Sequence, residues 1–339
     1  MKKIMLTTAL ASSMLVAAAH AEVKMSGALE ATLGSGETPS TTSTTTNQGT
    51  TVGWEANLSW DATKELDSGL TMKAGANVES AETTNAMDAP YMTFTSGNVT
   101  FGLAQDTVFT IDDSTIVPSV DGNNIEDANK GLGIGFKHNG ISIHDSNLVG
   151  LSHASDVGTF QVAYSPKAGD SSMGNDSAPS AVAKSGSGTA IGFKGSLGVE
   201  GLTAVAYTNN KDTGGLDAQE ISSTSFGATY SFGNFKVGYQ QTDYDDVAGT
   251  ALTTFSSGAE AEAKSYGISV AATDQISLGI NYAELSGTSV TSDEETTSIT
   301  AGYDLGGALV SLRMTEVENK GGSTGSDGEA IELRIKQKF

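Results

Sequence analysis

The sequence predicts an all-β protein, a transmembrane antiparallel β-barrel of about sixteen strands. Three observations predict it. The final segment, Ile331 to Phe339, alternates apolar Ile331, Leu333 and Ile335 with Glu332, Arg334 and Lys336, and stops on a bare aromatic. A period of two is a strand with one apolar and one wet face. Segments of about ten residues with the same alternation recur from Glu22 onward, as barrel strands do. Finally, short turns alternate with long polar connections, which a barrel with two differently exposed rims requires and a soluble sandwich does not.

The first element is a leader. Lys2 and Lys3 form a positive start, Ile4 to Ala19 is mostly apolar, and Ala19-His20-Ala21 is a small-residue cleavage site. The run is broken by Thr7, Thr8, Ser12 and Ser13 and is short for a membrane helix of about 20 residues. Residues 1–21 are therefore expected to be a signal peptide and residues 22–339 the barrel. No later apolar stretch reaches that length.

The strands follow in order. Val23, Met25, Leu29 and Leu33 share a parity opposite Lys24, Ser26 and Glu30; Val52 to Trp60 form the next apolar parity. Leu70, Met72, Ala74, Ala76 and Val78 alternate with Lys73, Asn77 and Glu79; Met92 and Phe94 turn at Ser96-Gly97-Asn98 into Val99, Phe101 and Leu103. Val149 and Leu151 turn at Ser155 to Gly158 into Phe160, Val162 and Tyr164; Ile191 and Phe193 turn at Gly198 to Gly201 into Val205 and Tyr207, taken as the same lipid-side parity. Four hairpin arms follow around Tyr230/Phe235 and Val270/Ile276, two more around Tyr303/Val310, and then the terminal strand. The long connections are Gly34 to Thr50, Ser165 to Gly188, Tyr244 to Ala261 and Glu318 to Gly328.

One connection, Gln105 to Asn147, exceeds an ordinary loop, and loops of that size usually carry function. It holds Asp106, Asp112, Asp113, Asp121, Glu126 and Asp127. Leu132 to Phe136 and Ile141 to Ile143 are strand-like; counted as wall they would make eighteen strands. Lys137, His138 and Asn139 read as internal, which favours sixteen.

Composition narrows the function. Cysteine is absent, so neither disulfide nor thiolate chemistry is available. The formal charge is −22, and removal of Lys2 and Lys3 takes it to −24; nucleic acid and anionic membrane surfaces are poor partners. In a channel, that charge suggests a weak cation preference. The histidines of the barrel region are only His138, His144 and His153, with no catalytic partner pattern, and Gly131 to Gly135 lacks phosphate-loop spacing. An enzyme is not expected.

Several segments (EVKMSGALEATLG, DSGLTMKAGANVES, TYSFGNFKVGYQ, ITAGYDLGGALVSL and the terminal KQKF) give the chain its resemblance to the trimeric general diffusion porins of α-proteobacteria, the Rhodobacter type. The resemblance runs in order through residues 22–339. It implies a homotrimer in the outer membrane, and a third loop, here Gln105 to Asn147, folded into the lumen as a constriction. Solutes would diffuse passively, with width and lining charge setting selectivity. The inward parity supplies Lys24, Lys73, Lys194, Lys236, Arg313, Arg334 and Lys336 as a basic wall, with Lys338 nearer the rim; Lys24 should cluster with the Arg334 row where the barrel closes. The acidic loop facing this wall would create a transverse field that favours small hydrophilic solutes and ions. Arginine is otherwise absent from the chain.

Aromatics such as Trp60, Tyr164, Tyr230, Phe232, Tyr266, Tyr282, Tyr303 and Phe339 are candidates for interface girdles. The acidic runs Asp243 to Asp246 and Asp293 to Glu295 read as solvated loops, with Ca²⁺ or a divalent bridge to lipopolysaccharide as the alternative. Two other functions stay open: a β-rich adhesin, which should show a regular repeat, and a substrate-specific barrel.

Overall fold

Alternating polarity makes a sheet with two chemically opposed faces, and here the sheet closes on itself. The computed structural model describes residues 21–38, 46–81, 85–105, 109, 111, 116–120, 143, 147–166, 186–212, 220–247, 259–288 and 291–339. The predicted leader lies almost entirely outside them. The strands are β1 (Glu22–Thr38), β2 (Thr46–Glu65), β3 (Thr71–Ala81), β4 (Asn85–Ser96), β5 (Val99–Gln105), β6 (Asn147–Ser155), β7 (Gly158–Ser165) and β8 (Gly188–Gly195). They continue as β9 (Leu202–Asp212), β10 (Glu220–Phe232), β11 (Phe235–Val247), β12 (Ala259–Ala271), β13 (Ile276–Gly287), β14 (Glu294–Asp304), β15 (Ala308–Glu318) and β16 (Gly328–Lys338).

Each strand pairs antiparallel with its sequence neighbours, and β1 pairs with β16 to close the barrel. At the seam Gly27 and Phe339 exchange backbone hydrogen bonds of 2.8 and 2.9 Å. This fixes the terminal aromatic to the first strand. The barrel has sixteen strands, and β5 pairs directly with β6 from Val99↔His153 to Gln105↔Asn147. No wall position remains between them for an extra hairpin, so the eighteen-strand alternative is excluded.

Polarity is inverted relative to a soluble protein. Large apolar side chains such as Leu103, Ile191, Ile299, Met314 and Ile335 lie exposed on the outer face, while Ser223, Ser225, Thr242, Ser265 and Gln240 are buried. Such an outside needs a hydrocarbon solvent. No described helix is long and apolar enough to cross a membrane; the strands cross instead. Aromatic pairs edge the outer band. At the short-turn rim lie Phe94 with Phe101 (centroids 5.4 Å), Phe160 with Phe193 (4.7 Å) and Phe232 with Phe235 (5.6 Å). Across the band, Tyr239, Tyr266 and Tyr282 form a row at 5.0 and 6.0 Å. Beyond that row outward charge begins: Gln241 donates to Glu262 (2.8 Å) and Asp243 (2.9 Å), and Lys264 pairs with Glu262.

Two sequence expectations change. The first long connection shrinks, because β1 extends to Thr38 and β2 starts at Thr46. Above the membrane both strand faces meet water, so a strand there needs no apolar parity and hides from the pattern. The second change concerns β9. Val205 and Tyr207 are 3% and 4% exposed and face inward, Tyr207 lying opposite inward Gly192 and Ser225. The period of two is right and the face is reversed, because an apolar partner inside the barrel receives them.

Candidate channel lining and constriction

That partner is the third connection. Its described residues run along the inner wall as a series of apolar contacts. Phe109 and Ile143, both buried, pack with Ala104 of β5, Leu148 of β6, Ala163 of β7 and Ala190 of β8. Ile111 and Ile116 pack with Val205 and Tyr207 of β9. The backbone N–H of Ile116 donates to Gln240 Oε1 of β11 at 3.1 Å, and its carbonyl accepts from the Thr229 hydroxyl of β10. Asn281 of β13 donates to the Pro118 carbonyl at 2.8 Å. Val120 reaches Gly279 of β13 and Gly302 of β14. Together with Asp304, Leu309, Lys336 and Lys338, it lines a niche of about 390 Å³. The loop therefore crosses the inner face from β5 to β14.

The wall beneath it is hydroxyl-rich. Ser225 and Thr242 hydroxyls are 2.7 Å apart, and those of Ser298 and Thr315 are 3.2 Å apart. These groups satisfy one another across neighbouring strands, as buried polar groups must.

The rest of the inner wall, β15 through β16 and β1 to β4, is charged. Register places Arg313 opposite Glu332 and Lys336 opposite Glu30. Arg334 Nε lies 2.9 Å from Glu30 and its Nη2 2.7 Å from Glu332, while Lys336 Nζ lies 3.2 Å from Glu30. Side chains from three strands thus alternate Arg313, Glu332, Arg334, Glu30, Lys336. Further around, Lys73 sits 3.3 Å from Asp61 and 5.4 Å from the centre of the Tyr91 ring, and the Tyr91 hydroxyl donates to Asp61. Lys24 pairs with Glu22 at 3.1 Å near the chain start.

The structure thus gathers Arg313, Arg334 and Lys336 into one network, and holds Lys73 in a second cluster. Lys24 lies on the same strand as Glu30 but pairs with Glu22 rather than joining the Arg334 row. Lys194 and Lys236 stand on the inward parity of β8 and β11, on the loop-bearing side. The predicted basic wall is a wall of ion pairs, because the same inward parity carries Glu30, Glu332 and Asp61. The six acidic candidates of the loop, Asp106, Asp112, Asp113, Asp121, Glu126 and Asp127, lie outside the described residues, as do His138 and His144. His153 stands on the outward parity of β6 with Val149 and Leu151.

Among the described residues no cluster of three or more His, Asp or Glu is arranged to hold a metal ion. Glu294 is turned inward and buried, accepting 2.7 Å from the Gly321 N–H. That contact ties the β13–β14 connection to the β15–β16 connection.

Sequence reasoning missed the loop's apolar residues as wall contacts. The readable signal was glycine at inward positions of β6, β8, β11, β12, β13 and β14, facing a loop containing Phe109, Ile111, Ile116, Val117 and Val120.

A closed transmembrane barrel with a hydrophilic inner wall and an inward-folded loop is a passive channel rather than a packed core. The family model described as Gram-negative porin matches residues 7–322; the chain belongs to the Gram-negative porin family, whose members are outer-membrane channels. Comparison with curated protein sequences finds no match. Solved structures of the same fold include the anion-selective porin from Comamonas acidovorans, 13% identical with a TM-score of 0.68 over 94% of this chain and 100% of that one. A multiply substituted Rh. blastica porin is 14% identical with a TM-score of 0.63 over the same shares. In-vitro folded OmpT of Vibrio cholerae, described as a trimer form, is 13% identical with a TM-score of 0.65, again over 94% and 100%.

Proposed function

We propose that this porin is a general diffusion channel of the α-proteobacterial type, for small hydrophilic solutes and ions, constricted between the third loop and the charged wall. The observation that carries this reading is the path of the loop's described residues. They pack on the inner wall from β5 to β14, and the network of Arg313, Arg334, Lys336, Glu30 and Glu332 stands on the remaining wall, which we assign as the other face of the passage. Asp106, Asp112, Asp113, Asp121, Glu126 and Asp127 are the loop's contribution to that passage. Lys24, Lys73, Lys194 and Lys236 line its approaches. Ions and polar solutes cross without a chemical step, so no catalytic residue is assigned.

The reading includes export and assembly. Residues 1–21 act as a leader removed before Glu22. Three copies associate in the outer membrane, an expectation supported by the trimer form of the Vibrio cholerae relative. The outward apolar band contacts lipid, and the charges above the Tyr239–Tyr266–Tyr282 row contact lipopolysaccharide. The adhesin alternative finds no support in a chain of this family.

Conductance of the purified, unboiled protein in a planar bilayer tests the proposal, with a salt gradient for the reversal potential. Large openings in steps of three are expected, with a selectivity that shifts when Asp112, Asp113 and Asp121 are replaced together by Asn. Unchanged selectivity would move the constriction away from this loop. Folded protein that conducts no ions would overturn the open-channel reading.

A further inference from the structure

We infer that a row of inward glycines on the barrel wall sets the position of the third loop and thereby the bore of the channel. Gly150, Gly192, Gly238, Gly267, Gly279 and Gly302 lie on β6, β8, β11, β12, β13 and β14. Each one faces an atom of the loop. A Cβ built on Gly150 would enter the Phe109 ring, and one on Gly267 would overlap Val117 Cγ1. On Gly238 it would stand 2.5 Å from Pro118 Cδ, and on Gly279 or Gly302 2.7 Å from the methyls of Val120. At Gly192 the approach to Ile111 is 3.0 Å.

Glycine inside a strand lacks a side chain to pack and weakens the strand, so its recurrence needs a close neighbour. The neighbour here is the same segment each time. None of the six has a backbone angle that only glycine adopts readily, so space rather than conformation explains them. The loop's apolar side chains fill the absent side chains of the wall. Hydrogen bonds donated by Thr229 and Asn281, and one accepted by Gln240, fix the backbone between these contacts. The loop cannot sink further outward, because the wall backbone is already in contact. An atom added where the contact is shorter than 3.0 Å, as at Gly238 or Gly267, pushes the loop toward the charged wall and narrows the passage.

The inference rests on the channel reading, and the experiment separates the two. Gly238→Ala and Gly267→Ala are compared with Gly192→Ala in planar bilayers, after folding is checked by heat-modifiable gel migration. Single-channel conductance and the size of the largest polymer that enters the pore are expected to fall for the first two. Gly192→Ala is expected to change them least, since its added Cβ meets Ile111 and Tyr207 at 3.0 Å, an overlap relieved by a shift of a few tenths of an ångström. Equal conductance for all three folded variants and the parent would overturn the inference while leaving the channel intact. A parent that does not conduct would overturn the channel reading instead.

A second measurement covers variants that fail to fold. The chain has no cysteine, so Val120→Cys with Gly302→Cys introduces one pair. An ideal Cβ on Gly302 lies 2.7 Å from Val120 Cγ1, one bond from the Val120 Cβ, which puts the Cβ separation a disulfide needs, about 3.5–4.5 Å, within reach. Oxidation is expected to give an intramolecular crosslink. Two single cysteines that each react with a thiol reagent but never crosslink would place the loop off the glycine row.

Discussion

The two halves of the inner wall satisfy their polar groups in opposite ways. From β5 to β14 the lining is mostly small and uncharged, Lys194, Lys236 and Glu294 apart, and the described residues of the third loop pack on it; the Ser225 and Thr242 hydroxyls bond to each other, and Thr229, Gln240 and Asn281 bond to the loop backbone. From β15 through β1 to β4 the lining is charged, and the loop's described residues reach only its margins, Val120 beside Leu309, Lys336 and Lys338 at one edge and the Phe109 cluster against Tyr91 at the other. Its charges are held by neighbours on the same or adjacent strands. The difference teaches that one inward parity can do two jobs. Where it carries glycine and hydroxyls it receives protein; where it carries paired ions it faces the passage.

The largest effect should come from the charged half. Arg334→Met leaves Glu30 and Glu332 facing each other with one cation fewer, and Arg334 and Glu332 are 7% and 4% exposed at the side chain. Breaking a buried pair from one side costs about 3–5 kcal/mol. Water in the lumen will hold the value toward the low end. Urea titration of the folded gel band should show the loss, and the reversal potential should move toward cations. A Met variant with unchanged midpoint and selectivity would mean that this half is not the charged side of the passage.

Next comes the loop-bearing half. Gln240→Leu together with Asn281→Leu strips two hydrogen bonds from the loop backbone, leaving the Ile116 N–H and Pro118 carbonyl without those partners. Each unsatisfied buried group costs about 1–3 kcal/mol. Faster proteolysis within residues 106–146 is expected, with noisier open-channel current and a barrel that still resists heat. Unaltered proteolysis would argue that the glycine contacts alone hold the loop.

Lys73→Ala tests the charged half where it is wetter. The side chains of Lys73 and Asp61 are 46% and 36% exposed, and exposed pairs contribute less than about 1 kcal/mol. Stability should barely change, while selectivity should shift toward cations by less than in Arg334→Met. A shift as large as that of the Arg334 variant would erase the ranking.

The smallest effect lies outside the membrane, at the loop node that Glu294 ties to the β15–β16 connection. Burial lowers the Lys320 pKa, and the nearby Glu294 charge opposes that shift. A lysine whose folded pKa is depressed binds its proton more weakly than in the unfolded chain. Stability therefore rises as pH climbs from the folded value toward the unfolded one, and the protonated form is a burden below that window. Lys320→Met should remove this alkaline gain and leave the neutral-pH midpoint equal or slightly higher. A clear drop at neutral pH would show that its charge supports the node.

Much of the barrel was legible because membrane strands must show period two. Ile331 to Phe339, the Phe232/Phe235 turn and the Tyr266 to Tyr282 hairpin are placed as read. The count of sixteen also held. The strand ends Gly34 to Thr38 and Thr46 to Thr50 were not legible, since their sequences are glycine, serine, threonine and polar residues without an apolar parity. The site was half legible. Parity identified Arg313, Arg334 and Lys336 as inward, and Glu30 and Glu332 with them, but not that these carboxylates would stand beside the cations and pair with them. That pairing depends on the register between β1, β15 and β16.

Alternation, turn glycines and the terminal aromatic strand thus determined by themselves a closed membrane barrel and the inward residues of nearly every strand. Only the tertiary structure decided which inward residues meet the loop and which meet water. Period two distinguishes two faces of a strand, but it does not say what stands opposite either face. Val205 and Tyr207 make the point: their apolarity read as lipid, and a loop inside the barrel, distant in sequence, is what they touch.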